Sequence, residues 1–93
     1  MTDNQILKNY MKAKQYPECI YILKEKIVTY LIHKIRIKDN SYKYTNVSDL
    51  CTASNFYLNN STIAQSLEIA LMQETALEQI ESLLLICEQN NIT

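Results

Sequence analysis

The chain has no glycine and a single proline, Pro17. Strand-rich folds depend on tight turns with positive φ, a conformation that glycine supplies at no steric cost. Their absence argues against a β-sandwich or barrel, and leaves left-handed corners to asparagine, the next most tolerant residue. It also excludes phosphate cradles of the Walker and dinucleotide types, which need glycine for close backbone approach. Histidine and arginine occur once each, at His33 and Arg36. One imidazole and three scattered thiols do not furnish the three or four converging ligands that zinc requires, so neither a metal nor any other cofactor is expected. Apolar runs stay as short as "LLLIC", against the roughly 20 residues of a membrane-crossing helix. The opening "MTDNQILKNY" is polar and acidic, so no secretory leader is expected.

Positive charge is missing from the second half. All nine Lys and Arg lie at or before Lys43. Residues 1–44 set these nine against Asp3, Glu18, Glu25 and Asp39, a balance of +5; residues 45–93 carry Asp49, Glu68, Glu74, Glu78, Glu81 and Glu88, a balance of −6. The simpler reading is that the two halves attract one another, within a protomer or head to tail between copies. The competing reading is that the basic half faces a polyanion. A charge of +5 over 44 residues is modest for a nucleic-acid binder.

What is present is enough apolar matter for one domain spanning 1–93. The composition is 47% hydrophobic and 20% charged, that of a folded chain. At this size roughly 60 to 65 per cent of the unfolded surface can be buried, which leaves a thin stability margin. Cys19, Cys51 and Cys87 are odd in number, far apart and in no CxxC spacing. They read as reduced, buried small hydrophobes of a cytoplasmic protein in a bacterial-type cell.

Asparagines cluster at "DNS", "TN", "SNFYLNNST" and "QNN", marking loops between segments of helical period. A first helix is expected over 3–14, with Thr2 and Gln5 as a capping box and Ile6, Leu7, Tyr10 and Met11 as its stripe. A second runs from Pro17, well suited to a first helical turn, to about Lys38. At about 100° per residue, Cys19, Ile20, Leu23, Ile27, Val28, Tyr30, Leu31, Ile35 and Ile37 fill half its circumference. That arc suits a central helix, with Lys24 and Lys34 either snorkelling from inside it or sitting near its edge. Opposite lie Glu18, Glu25, Lys26, Thr29, His33 and Arg36, so "TYLIHKIRIKDN" reads as the wet face of a helix. "DNSYKYTN" is a loop. A short helix over 46–57 follows, with Val47, Leu50, Cys51 and Phe56 inward. Thr62 with Gln65 offers another cap.

From 62 to 89 no residue type breaks the chain, but the stripe does. Ile63, Leu67, Ala70 and Leu71 share one face; Leu77, Ile80, Leu84 and Cys87 share another, rotated by roughly 120° at 3.6 residues per turn. "TALE", from Thr75 to Glu78, can cap a fresh helix, so a break is expected near 72–75. Glu74, Glu78, Glu81 and Glu88 flank the last helix. Leu85 and Ile86 fall outside its arc and are the candidate interface. The fold expected is all-α, an antiparallel bundle of four or five helices.

Chemistry is thinly represented. A cysteine nucleophile would need His33 beside a thiol, yet the thiols read as core and His33 as surface. Glu74, Glu78 and Glu81 form an acidic strip of the solvated kind. The one cluster with recognition chemistry is basic and aromatic: Lys26, His33, Arg36, Lys38, Tyr42, Lys43 and Tyr44. Cations beside stackable rings suit single-stranded RNA, while lysines near a helix C-terminus also suit the helix dipole with no ligand at all.

A short first helix, the long helix "KQYPECIYILKEKIVTYLIHKI", an irregular loop and then "VSDLCTAS" resemble the start of HEPN domains. In that family a run of the form x-Y-x-x-A/C-x-x-x-L-x-E/K opens a long helix. The resemblance covers about residues 5–58. It implies a small helical bundle, often dimeric, in a family with many toxin ribonucleases and partners of minimal nucleotidyltransferases. The family's ribonuclease motif is an arginine followed four to six residues later by a histidine. Here Arg36 follows His33, so no catalytic residue carries over, and the resemblance implies a non-nuclease branch with a binding or pairing role. The function expected is therefore a non-enzymatic interaction module, a homodimer or one bound to a protein partner, with no membrane partner. An RNA-associated module using the basic face comes second, and a small hydrolase or nuclease of unrecognised type third.

Overall fold

The computed structural model describes residues 3–12 and 14–93. Among them are five helices: α1 (Asp3–Lys12), α2 (Tyr16–Lys38), α3 (Val47–Leu58), α4 (Thr62–Leu71) and α5 (Ala76–Gln89). The described residues contain no strand. Each helix packs on its neighbour in sequence, and α2 packs on all four others. The fold is an all-α bundle built around α2, and the expected break between α4 and α5 is present.

The central role of α2 follows from the spacing of its buried side chains. Cys19, Leu23, Ile27, Leu31 and Ile35 are all buried, four residues apart throughout. Four residues turn a helix by ~400°, so this ridge advances ~40° per step and ~160° from Cys19 to Ile35. Rows at i±4 are among those through which helices interlock, and a winding ridge lets one helix serve neighbours on several sides. Each buried Leu or Ile here contributes about 1.5–3 kcal/mol by leaving water.

The winding also corrects one expectation. Ile37 shares its azimuth with Cys19 and was placed in the arc, but it is 81% exposed. At its height the buried side has moved round to Ile35. Lys34 is exposed, as a place near the edge of the arc allows, its ammonium 4.8 Å from the Tyr30 ring centre.

The helix ends show how the chain turns without glycine. Among the described residues, Lys14, Asn59 and Asn91 have positive φ, at 57°, 53° and 53°. Two of the three are asparagines, as expected. Lys14 ends α1 earlier than residue 14, its N–H bonded to the Met11 carbonyl at 3.0 Å. The expected cap at Thr2 and the side chains of Ile6, Leu7 and Tyr10 lie outside the described residues; Met11 is exposed. Asn46 caps α3 by accepting the Asp49 N–H at 2.8 Å, and Asn59 closes that helix. The cap of α4 falls one residue earlier than expected: Gln65 Nε2 donates to Ser61 Oγ at 2.8 Å, and the Thr62 N–H bonds Asn60 Oδ1 at 2.9 Å. Thr75 accepts the Glu78 N–H at 3.2 Å and starts α5, as its sequence suggests.

The end of α5 is a Schellman motif. The Ile92 N–H reaches the Cys87 carbonyl at 2.9 Å and the Asn91 N–H reaches that of Glu88 at 3.4 Å. Asn91 takes the left-handed position usually held by glycine, and the following apolar residue turns inward. That residue, Ile92, joins the core.

Two inward faces differ from expectation. Phe56 is 78% exposed, because it lies ~120° around α3 from Leu50; Ala53, Ser54 and the half-buried Tyr57 occupy the inner side instead. On α5 the buried residues are Ile80, Leu83, Ile86 and Cys87, while Leu77 and Leu84 face outward. "LLLIC" places apolar side chains on every side of the helix, so its period does not specify which side turns in. All three cysteines are free; Cys19 and Cys87 are buried and Cys51 is half-buried. Burial pushes each thiol above its usual range. No helix among the described residues is long and apolar enough to cross a membrane.

Candidate functional site

The basic and aromatic residues near the end of α2 do not form one open surface. Arg36 Nε donates to the Tyr42 carbonyl at 3.0 Å, folding the 39–46 loop back against its own helix. The Tyr42 hydroxyl donates to Asp49 Oδ2 at 3.2 Å, and that of Tyr57 to Asp39 Oδ2 at 2.6 Å. Asp39 Oδ1 also accepts the Ser41 hydroxyl at 2.6 Å and the Ser41 N–H at 3.0 Å. The Tyr42 and Tyr57 rings meet edge to face at 6.2 Å, and Phe56 meets Tyr57 in the same way at 4.9 Å. Such contacts tie the loop to both ends of α3.

The electrostatics follow from these bonds. The hydroxyls of Ser41 and Tyr57 and the Ser41 amide hold the Asp39 carboxyl below its usual range. Burial, reinforced by the charge of Asp49, pushes the Tyr42 hydroxyl up to about 12. Burial and then the charge of Glu25 raise Tyr44, and the bond to Asp39 raises Tyr57. Tyr42 and Tyr44 are half-buried and packed on the core, so they serve as loop anchors rather than open stacking platforms. His33, Arg36, Lys38 and Lys43 are exposed.

Lys26 lies elsewhere, half-buried on the flank of α2. With Glu25, Thr29 and His33 it lines a groove of about 530 Å³, closed on the other side by Asn91, Ile92 and Thr93. The groove brings a carboxylate, an ammonium and the one imidazole together, but no thiol lines it. Cys87, the thiol whose ionisation Lys26 favours, is buried. Nucleophile and base are therefore not assembled here. Among the described residues no group of three His, Cys, Asp or Glu is placed to hold a metal ion.

The remaining candidate surface is the outside of α5. Of the two residues singled out there, Leu85 is 51% exposed but Ile86 is 6% exposed and belongs to the core. Leu85 and Ile69 instead border a cleft of about 190 Å³ between α4 and α5, floored by Ala70 and Ile86 and flanked by Ser66 and Ser82. Leu77 and Leu84 stand further round, and Ile69 on α4 and Met72 at its end are exposed as well. Glu78, Glu81 and Glu88 share the outer side of α5 and are exposed. The outer face thus alternates leucine with glutamate and holds no cation. Sequence reasoning assigned Leu77 and Leu84 to the core; the Leu77–Glu81–Leu84–Glu88 alternation was the signal of a second stripe. No family model, no curated protein and no solved structure matches the chain.

Proposed function

We propose that the chain is a non-enzymatic helical interaction module, one that associates with its own second copy as a homodimer or with a protein partner. The observation carrying this reading is that α5 is apolar on two sides. One side covers α2 and α4 with Ile80, Leu83, Ile86 and Cys87. The other presents Leu77, Leu84 and Leu85 to solvent. Exposed leucines gathered on one side of a helix, even interleaved with glutamate, suit a contact site on a small folded domain. Three free thiols support a reducing cytoplasm as the setting.

Light scattering over a concentration series, on wild type and a Leu84→Gln, Leu85→Gln double variant, tests the proposal. The wild type is expected to exceed monomer mass, and the variant to fall to it while melting at the same temperature. A strictly monomeric wild type that binds no more of an apolar-surface dye than the variant would count against it. The exposed His33, Arg36, Lys38 and Lys43 favour a second reading, an RNA-associated module of the HEPN-like type. Affinity for an RNA pool that falls steeply with added salt, by counterion release, is its expected mark; flat or absent binding ends it.

A further inference from the structure

The outer stripe of α5 has a counterpart in the same chain. Leu77, Glu81 and Leu84 stand at positions i, i+4 and i+7 of α5, and all three are exposed. On α2, Tyr30, Lys34 and Ile37 stand at the same spacing, Tyr30 half-buried and the other two exposed. Each triplet holds two apolar side chains one heptad apart around a single charge, and the charges are opposite. The surroundings repeat the contrast. Lys38 flanks the α2 triplet, while Glu78 and Glu88 flank that of α5. The Tyr30 ring, 4.8 Å from the Lys34 ammonium, holds that cation beside its stripe.

We propose that these stripes pair between copies, the α2 stripe of one protomer seating on the α5 stripe of the next. The inference rests on the self-associating reading above and specifies which faces meet. Lys34, Ile37, Leu77, Glu81 and Leu84 are all exposed within the protomer, so the contact is not made in cis. Residues a heptad apart lie ~10.5 Å apart along each helix, which matches apolar to apolar with Lys34 opposite Glu81. If the helices run oppositely, the two charges are offset by a single residue, ~1.5 Å of rise, well within side-chain reach. Charge selects this arrangement over a symmetric one. The α5 stripe against its own copy brings glutamate to glutamate, and the α2 stripe against its own brings lysine to lysine; like charges across a contact are strongly disfavoured. Unlike faces give a heterologous contact, which propagates until it closes into a ring or continues as a chain, and so replaces the closed homodimer within the self-associating reading.

Charge reversal in the full chain tests the pairing, read by sedimentation velocity at low salt with circular dichroism to check folding. Lys34→Glu alone and Glu81→Lys alone each weaken association at least about tenfold, because each opposes like charges across the contact. The Lys34→Glu, Glu81→Lys double variant recovers. So does an equimolar mixture of the two single variants, in which every contact again joins unlike charges. Single variants that associate as the wild type does would overturn the pairing and leave self-association to another face. A mixture that stays monomeric would overturn it too. A wild type monomeric at every concentration overturns it and leaves only the partner-binding arm of the proposed function.

Discussion

Ile35 and Ile37 are chemically identical, two residues apart in α2, and separated by the winding ridge. Ile35 is 0% exposed and Ile37 81% exposed. Truncating a fully buried isoleucine to alanine removes its transfer energy and leaves a cavity, about 2–5 kcal/mol together. A 93-residue chain has roughly 5–14 kcal/mol of stability to lose. Ile35→Ala should therefore forfeit a large share of the total and lower the melting temperature by roughly 8–40 °C, at about 4–8 °C per kcal/mol for a domain this small. In the dissociated protomer, at high dilution, Ile37→Ala should stay within about 0.5 kcal/mol of wild type, and the better helix propensity of alanine pushes it toward a gain. Urea unfolding followed by circular dichroism measures both on one scale. Losses of equal size, or a larger loss at Ile37, would refute the ridge as the organiser of α2.

Ser54 is fully buried, and its hydroxyl has no hydrogen-bond partner among the described residues. Ser54→Ala removes that orphan and should raise stability by about 1 kcal/mol, seen as a higher urea midpoint; a lower one would show that the hydroxyl is satisfied in solution. Asn59 sits at φ 53°, so Asn59→Ala should cost about 1 kcal/mol and Asn59→Gly almost nothing, by the same assay. Asp39 is held below its ordinary value, so its contribution is complete above that value and is lost as pH falls through the depressed one. Tyr57→Phe, which removes one of its donors, should flatten the acid limb of the stability profile. Tyr42 is raised to about 12, so its contribution is complete below the ordinary tyrosine value and is lost as pH rises toward 12. Ultraviolet titration should show a late-ionising class that loses a member in Tyr42→Phe.

The fold was legible where local rules act alone. Pro17 near the start of α2, Thr75 as a cap, the asparagine-marked loop ahead of α3 and the change of stripe between α4 and α5 each depend on a few neighbouring residues, whereas "SNFYLNNST" leaves the helix only at Asn59, its first five residues completing α3. Rotation of a helix about its axis is not local. Leu77, Leu83, Leu84 and Leu85 are equally apolar, and only packing against α2 and α4 decides which of them turns inward. Projection along the axis misplaced Ile37 because it discards height, and the buried side of α2 changes with height. Ile92 went unread although "QNNI" carries its signal, an asparagine able to turn left followed by an apolar residue. The basic cluster near α2 was visible as composition, but the bonds that tie Tyr42 and Tyr57 to carboxylates join residues 7 and 18 positions apart, and no periodicity reports them.

A ridge that winds gives α2 the mechanics of a threaded bolt. One residue inserted after Val28 would turn the distal half by ~100°, unseating Leu31 and Ile35 while Cys19, Leu23 and Ile27 stayed engaged. Lengthening can be absorbed only in whole threads of four residues, or outside the shaft in the 39–46 loop. Substitution on the solvent side of this helix is cheap; a change in its length is not.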